Sequence, residues 1–211
     1  MKKSLTALLV ATIFLAFGCN DEYFTDGGIQ TDLSGTINMS TMDYLKTEPA
    51  KFDTLVRLIQ LCGLETEIAK TGNTFLAPQD YSIHNFFKLL YPDESKWPEL
   101  SQLKSEEIDM ISKILKNYII PDQEIDRRSL SPAYSYATTQ GGRKARFNLI
   151  RNDYLGNVNM GAAYIIFALN TSAPDSPVEQ YQSVTVVTSG LRSTNGMLHI
   201  LDSNTHIFGF N

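Results

Sequence analysis

Three histidines, His84, His199 and His206, are the side chains of this sequence best suited to bind a metal, because neutral imidazole is a common ligand. His199 and His206 lie close together near the end of the chain. A spacing of seven residues puts them on opposite faces of a straight strand. We therefore expect no metal site and no cofactor, and we interpret His199 as a hydrogen-bonded structural histidine.

Other residue groups that resemble catalytic motifs have simpler explanations. The sequence contains no Gly-x-Ser-x-Gly turn for a nucleophilic serine, and Gly141-Gly142-Arg143-Lys144 lacks the spacing of a nucleotide-binding loop and is typical of a hairpin turn. The acidic residues Glu106, Glu107 and Asp109 could act as acid and base, but the dipole of a helix also favours them in its first turn. The sequence therefore predicts no enzyme.

Aromatic residues are the better lead for binding. Tyr134, Tyr136, Phe147 and Tyr154 cluster around a predicted hairpin, and flat rings with a polar tip suit contacts with sugars or proteins. Rings in such positions also pair across strands in a core, so both interpretations remain open.

The first 18 residues have the layout of a secretory signal peptide. Lys2 and Lys3 precede an apolar or small-residue run from Leu5 to Gly18, which is too short to span a membrane. The sequence LAFGC resembles the lipobox of bacterial lipoproteins, in which the cysteine is lipidated and becomes the first mature residue. We therefore predict a lipid anchor at Cys19, with ordinary cleavage and a soluble periplasmic product as the alternative.

Residues 19–39 are rich in Asp, Gly, Thr and Ser and are predicted to form a flexible tether. Asp21, Glu22 and Asp26 resemble the signals that send lipoproteins of some Gram-negative bacteria to the cell exterior, although acidic residues also suit any solvated tether. We expect an outer-membrane lipoprotein that faces the exterior, with the periplasmic face as the alternative. The net charge of −5 argues against nucleic acid as a partner.

Residues 40–211 are predicted to form one α+β domain. Apolar residues first recur at helical spacing, and residues 133–210 then alternate as strands, beginning with a hairpin. Helices followed by strands favour N-terminal helices packed on a bent sheet or sandwich formed mainly by the C-terminal half. The apolar stripes of the three main helices are Phe52, Leu55, Val56 and Ile59; Ile83, Phe86, Phe87 and Leu90; and Ile108, Ile111, Leu115 and Tyr118.

Two further side chains have predicted structural roles. In the stretch NTFLAPQD, Pro78 should end a short strand and Asp80 should accept hydrogen bonds from the free amides of the next helix. Cys62 lies on an apolar helical face, so we expect a buried structural thiol. Asp53-Thr54-Leu55 resembles a glycosylation site of some exported bacterial proteins, but so short a motif often occurs by chance.

Three separated segments resemble the fasciclin-like domain family. Residues 74–83 fit the first family box, Thr-x-Phe-Ala-Pro-Thr-Asn-x-Ala-Phe, with Leu76 for Phe and Gln79 for Thr, and residues 195–202 fit the second, Asn-Gly-x-Val-His-x-Ile-Asp. Between them, Asn117-Tyr118 stands where the family usually has Tyr-His. The residues that carry the resemblance are Thr74, Phe75, Ala77, Pro78, Asp80, Tyr118, Asn195, Gly196, His199 and Asp202.

The resemblance implies a compact wedge, display outside the cell, adhesion or contacts with matrix or carbohydrate, and no catalysis. The predicted function is that of a non-enzymatic, lipid-anchored surface protein that binds matrix, host or neighbouring-cell components. The alternative is an accessory scaffold or glycan-binding lipoprotein of an outer-membrane nutrient-uptake complex.

Overall fold

A computed structural model describes residues 35–174 and 176–210, with five α-helices, three short 3-10 helices and seven strands in that part of the chain. The predicted signal peptide, Cys19 and most of the predicted tether lie outside the described residues. The helices are α1 (Thr41–Thr47), α2 (Pro49–Leu61), α3 (Glu65–Ile68), α4 (Asp80–Leu90) and α5 (Ser105–Lys116). The strands are β1 (Asn73–Ala77), β2 (Ile119–Ile120), β3 (Ser135–Thr138), β4 (Lys144–Arg151), β5 (Ala163–Asn170), β6 (Tyr181–Ser193) and β7 (Gly196–Leu201).

The helices form where the sequence supplies both an apolar stripe and a start signal. Ser40 caps α1, because its hydroxyl accepts a hydrogen bond from the N–H of Asp43 at 3.1 Å. Pro49 opens α2, and Gly63, with φ of 65°, follows its end. No helix within the described ranges is both long and apolar enough to cross a membrane.

The seven strands form one mixed sheet in the order β2-β1-β7-β6-β5-β4-β3. All neighbours are antiparallel except β1 and β7. The first half of β6 pairs with β5 and the second half with β7, and the register shifts between Val186 and Leu191. The two ends of the sheet approach each other, because the N–H of Gln140, after β3, donates to the carbonyl of Ile119 in β2 at 2.8 Å. The predicted α+β class is thus confirmed.

The core lies between the bent sheet and the helices and contains stacked aromatic rings. Phe147 of β4 stacks on Phe167 of β5 with ring centroids 5.2 Å apart, and Phe167 also contacts Phe210. Phe208 stacks on Tyr118 and contacts Phe86 of α4 edge to face. Phe208 and Phe210, which follow β7, therefore link the helices to the sheet by their ring contacts.

Three local expectations were wrong. Helix α5 ends at Lys116, so that Tyr118 leads into the two-residue strand β2, which the sequence did not indicate. Residues 202–210 form turns instead of a strand, since the carboxylate of Asp202 accepts from the N–H of Asn204 and the hydroxyl of Thr205. Asp80 does not cap its own helix, and its actual partners are described below.

Candidate functional site

The two family boxes lie side by side in the sheet. Strand β1 from the first box pairs in parallel with β7 from the second, with Phe75 opposite Leu198 and Leu76 opposite His199. Phe75 and Ala77 are buried, and Pro78, which cannot donate to the ladder, directly follows the strand. The amide of Gln79 donates to the carbonyl of Leu201 at 2.7 Å, which joins the boxes at their far ends.

Polar side chains of the first box form hydrogen bonds with a neighbouring loop and a neighbouring helix. The hydroxyl of Thr74 donates to the carbonyl of Gln123 at 2.7 Å and accepts from the N–H of Ile125 at 2.8 Å. The carboxylate of Asp80 accepts from the backbone N–H groups of Thr54 and Leu55 in α2, at 2.9 and 3.0 Å. Burial raises the pKa of Asp80 despite these hydrogen bonds.

Asn195 and Gly196 hold the turn before β7 against the helices. The side-chain amide of Asn195 donates to the carbonyl of Ile68 at 2.8 Å and accepts from the N–H of Thr41 at 2.8 Å. Gly196 has φ of 155°, and a Cβ atom there would overlap the carbonyl oxygen of Asn73. Glycine is therefore required for the close approach of β7 to β1.

His199 is fully buried, and both of its ring nitrogens are used. Nδ1 accepts from the N–H of Gly190 at 3.1 Å, and Nε2 contacts the carbonyl of Ile125 at 2.7 Å. Because a carbonyl can only accept, Nε2 carries the proton and the ring is neutral. Burial lowers the pKa of His199 to about 4. These contacts fix the bend of β6 and leave no lone pair for a metal.

The side chain of Tyr118 contacts a histidine that is distant in sequence. Its hydroxyl lies 2.8 Å from Nε2 of His206 and accepts from the N–H of Gly209 at 2.9 Å. Burial raises the pKa of Tyr118 and lowers that of His206 to about 4, so the pair is neutral. The preceding residue, Asn117, accepts from the hydroxyl of Thr139 at 3.1 Å.

The histidines therefore lie at different places. His206 follows β7 and is not in a strand, and it contacts Tyr118, whereas His199 contacts Gly190 and Ile125. His84 is exposed and packs against Trp97. Across residues 35–174 and 176–210, no group of three or more His, Cys, Asp or Glu side chains is arranged to hold a metal.

The other residues that could do chemistry have structural partners. The thiol of Cys62 is half-buried at the end of α2 and donates to the carbonyl of Ile108 at 3.6 Å, and burial raises its pKa to about 11. Glu107 accepts from the N–H of Lys104 at the start of α5 and from the hydroxyl of Tyr91. Asp53-Thr54-Leu55 lies within α2, with Leu55 buried.

The aromatic residues fall into two groups. Phe147 is completely buried and belongs to the core, whereas Tyr134 and Tyr136 are 50% and 60% exposed on the outer face of the β3–β4 hairpin. Tyr154 is exposed on the loop between β4 and β5. The structure brings Tyr181 of β6 and Arg146 of β4 to the outer face beside Tyr134 and Tyr136. The sequence patterns do not indicate either residue.

We name Tyr134, Tyr136, Arg146 and Tyr181 the tyrosine–arginine face. The guanidinium carbon of Arg146 lies 4.2 Å from the ring centroid of Tyr134 and 4.0 Å from that of Tyr181. Tyr136 pairs directly opposite Arg146 across the β3–β4 ladder. Cation–π contact of this kind holds a charged side chain in place beside exposed rings.

An ion pair borders the face. Lys144 forms a salt bridge with Glu179, and the hydroxyl of Tyr181 donates to the same carboxylate at 2.9 Å. The hydrogen bonds from Lys144 and Tyr181 lower the pKa of Glu179, and burial together with Glu179 raises that of Tyr181. The arrangement is a partly exposed surface of rings and charges, which is suited to binding.

Comparison with known proteins identifies the family. A family model of the fasciclin domain matches residues 50–204. This domain is generally a non-enzymatic module of the adhesion type. A search of curated proteins found no match. The matched region contains β1 and β7, the two strands that carry the boxes, and most of the chain, and this protein therefore belongs to the fasciclin domain family.

Proposed function

We propose that the protein is a non-enzymatic, lipid-anchored surface protein whose fasciclin domain binds a component of the matrix, the host or a neighbouring cell through the tyrosine–arginine face. The exposed rings of Tyr134 and Tyr136 beside the held guanidinium of Arg146 are the observation that carries this proposal. Tyrosine and arginine are enriched where proteins bind their partners, because each combines a large apolar area with polar groups.

The role of the box residues supports a binding function in place of catalysis. His199, Tyr118 and His206 are buried and make hydrogen bonds inside the protein, so none of these three side chains faces a substrate. Enzymes instead gather titratable groups in a concave pocket. The box residues are thus structural, and the outer face remains for recognition.

A lipid anchor at Cys19 forms the second part of the proposal. It is supported by the leader with Lys2 and Lys3, the LAFGC sequence, and the acidic segment that follows it. We expect Cys19→Ala, or the lipoprotein signal peptidase inhibitor globomycin, to block processing and to abolish partitioning of the mature protein into membranes. Unchanged processing and partitioning would contradict the anchor.

Binding is tested on a glycan and matrix array with the full mature chain. We expect Tyr136→Ala and Tyr134→Ala to reduce the signal of any bound component at least tenfold. Tyr81→Ala is the matched control, since Tyr81 is a tyrosine of similar exposure, 57%, on α4. Equal losses for all three variants would show that the tyrosine–arginine face is not the binding site.

The alternative, a glycan-binding or scaffold subunit of an outer-membrane nutrient-uptake complex, uses the same face. It is favoured by the rings of Tyr134 and Tyr136, which suit stacking on sugars. Recovery of transporter subunits with the protein from outer membranes, together with normal adhesion of a deletion strain, would support this alternative over adhesion.

A further inference from the structure

Arg146 forms no salt bridge or hydrogen bond with a carboxylate within the described residues, although its charge contributes to lowering the pKa of nearby Glu179. Its Nε is buried without a hydrogen-bond partner there. The guanidinium group contacts the ring of Tyr134, which directly precedes β3, and the ring of Tyr181, which lies in β6 beyond β5. Because the N–H bonds of a guanidinium lie in its plane, stacking leaves those of its two terminal nitrogens free to bind a carboxylate.

The charge around the face has the opposite sign to that of the whole chain. Three basic residues lie at or next to the start of β4, namely Arg143, Lys144 and Arg146. Among the described residues that contact the face, Glu179 is the one acidic side chain, and it forms a salt bridge with Lys144. The chain as a whole carries −5. A locally positive surface attracts an anion, whereas the net negative charge of the rest of the protein repels it.

From these observations we propose that the tyrosine–arginine face binds a carboxylated sugar residue of an anionic glycan. The carboxylate is bound by the in-plane N–H groups of Arg146, and the ring of Tyr136 packs against the apolar face of the sugar. This inference rests on the proposed function, because it names the ligand class of the same face. A neutral sugar would use the rings but would leave Arg146 without an anion.

The test compares an acidic ligand with its own neutral form. Calorimetric titration of the full mature chain uses oligogalacturonate and the same oligosaccharide after reduction of its carboxyl groups, and sialyllactose provides a second source of the sugar carboxylate. We expect at least one of the acidic probes to bind, and its affinity to be at least tenfold higher than that of the neutral probe. Raising the salt concentration should weaken binding of the acidic probe alone.

Variants separate the charge from the rings. Arg146→Gln should reduce affinity for the acidic probe at least tenfold and leave affinity for the neutral probe unchanged. Arg146→Lys should retain part of the difference in affinity between the two probes, because it keeps the charge but loses the bidentate geometry. Tyr136→Ala should weaken both, and Tyr81→Ala neither. Equal melting temperatures of these variants establish that each is folded.

Each contrary outcome has its own meaning. Equal affinity for the acidic and reduced probes, or no binding of either acidic probe, would overturn the carboxylate assignment. If the array shows a neutral glycan or a protein whose binding is lost in Tyr136→Ala, the proposed function stands and the carboxylate assignment fails. If no array signal depends on Tyr134 or Tyr136, the proposed function fails as well.

Discussion

The two buried histidines link the fold to pH. His199 and His206 are neutral, each with a pKa lowered to about 4 by burial, whereas a histidine in an unfolded chain has a pKa of about 6.5. Their contribution to stability is complete above pH 6.5, and protonation of the unfolded chain removes it as the pH falls towards 4.

We therefore predict that the free energy of unfolding decreases between pH 6.5 and pH 4. Each histidine should contribute a slope of up to about 1.4 kcal/mol per pH unit. Urea unfolding at several pH values measures this slope. His206→Phe should remove part of it. A slope that is unaffected by His206→Phe would contradict the prediction.

Gly196 determines how closely β7 approaches β1. Because the Cβ atom of an alanine would overlap the carbonyl oxygen of Asn73, we predict that Gly196→Ala destabilises the domain by about 3 to 5 kcal/mol. Thermal or urea unfolding tests this expectation.

Gly72→Ala is the matched control for this prediction. Gly72 has φ of 86°, but an added Cβ atom would meet no atom within 4 Å. It should therefore cost only about 1 kcal/mol of backbone strain. Similar losses in both variants would show that strain, and not the close approach, explains the requirement for glycine at position 196.

At the scale of elements, Asp80 joins the start of α4 to the middle of α2. Removal of its carboxylate would take an acceptor away from the part-buried N–H groups of Thr54 and Leu55. An unsatisfied buried donor typically costs about 1 to 3 kcal/mol. We predict that Asp80→Ala destabilises the protein by at least about 2 kcal/mol in urea unfolding.

Two variants test whether the loss comes from those hydrogen bonds. Asp80→Asn retains one acceptor oxygen and should cost less than Asp80→Ala. Asp109→Ala removes an exposed acidic residue of α5 and should change stability by less than about 0.5 kcal/mol. A loss for Asp109→Ala as large as that for Asp80→Ala would attribute the effect to net charge.

The helices and the longer strands could be predicted because each has a complete apolar period of its own. Phe52, Leu55 and Ile59 specify one face of α2, and the glycines at 141 and 142 mark the β3–β4 turn. Strand β2 could not be predicted, since its two residues show no period and pair only because β1 lies beside them. The partner of Asp80 was missed for a similar reason, because α2 is distant in sequence.

At the scale of the whole molecule, family resemblance predicted the wedge, but local patterns do not predict the pairing of β1 with β7, which are separated by more than 100 residues. The tyrosine–arginine face is also assembled from distant segments. Tyr134 and Tyr136 stand out in the sequence, whereas Tyr181 joins them only because β5 pairs with both β4 and β6 and so brings these two strands close together. The proposed binding surface is therefore a product of sheet order.

The position of the last strand has a consequence for biogenesis. Strand β7 is the last of the seven described strands, yet it lies between β1 and β6 and connects the β2–β1 pair to the other four strands. We predict that nascent chains stalled before residue 196 are digested readily by protease and that chains extending through residue 210 resist it. The domain therefore completes its folding only after β7 has been synthesised.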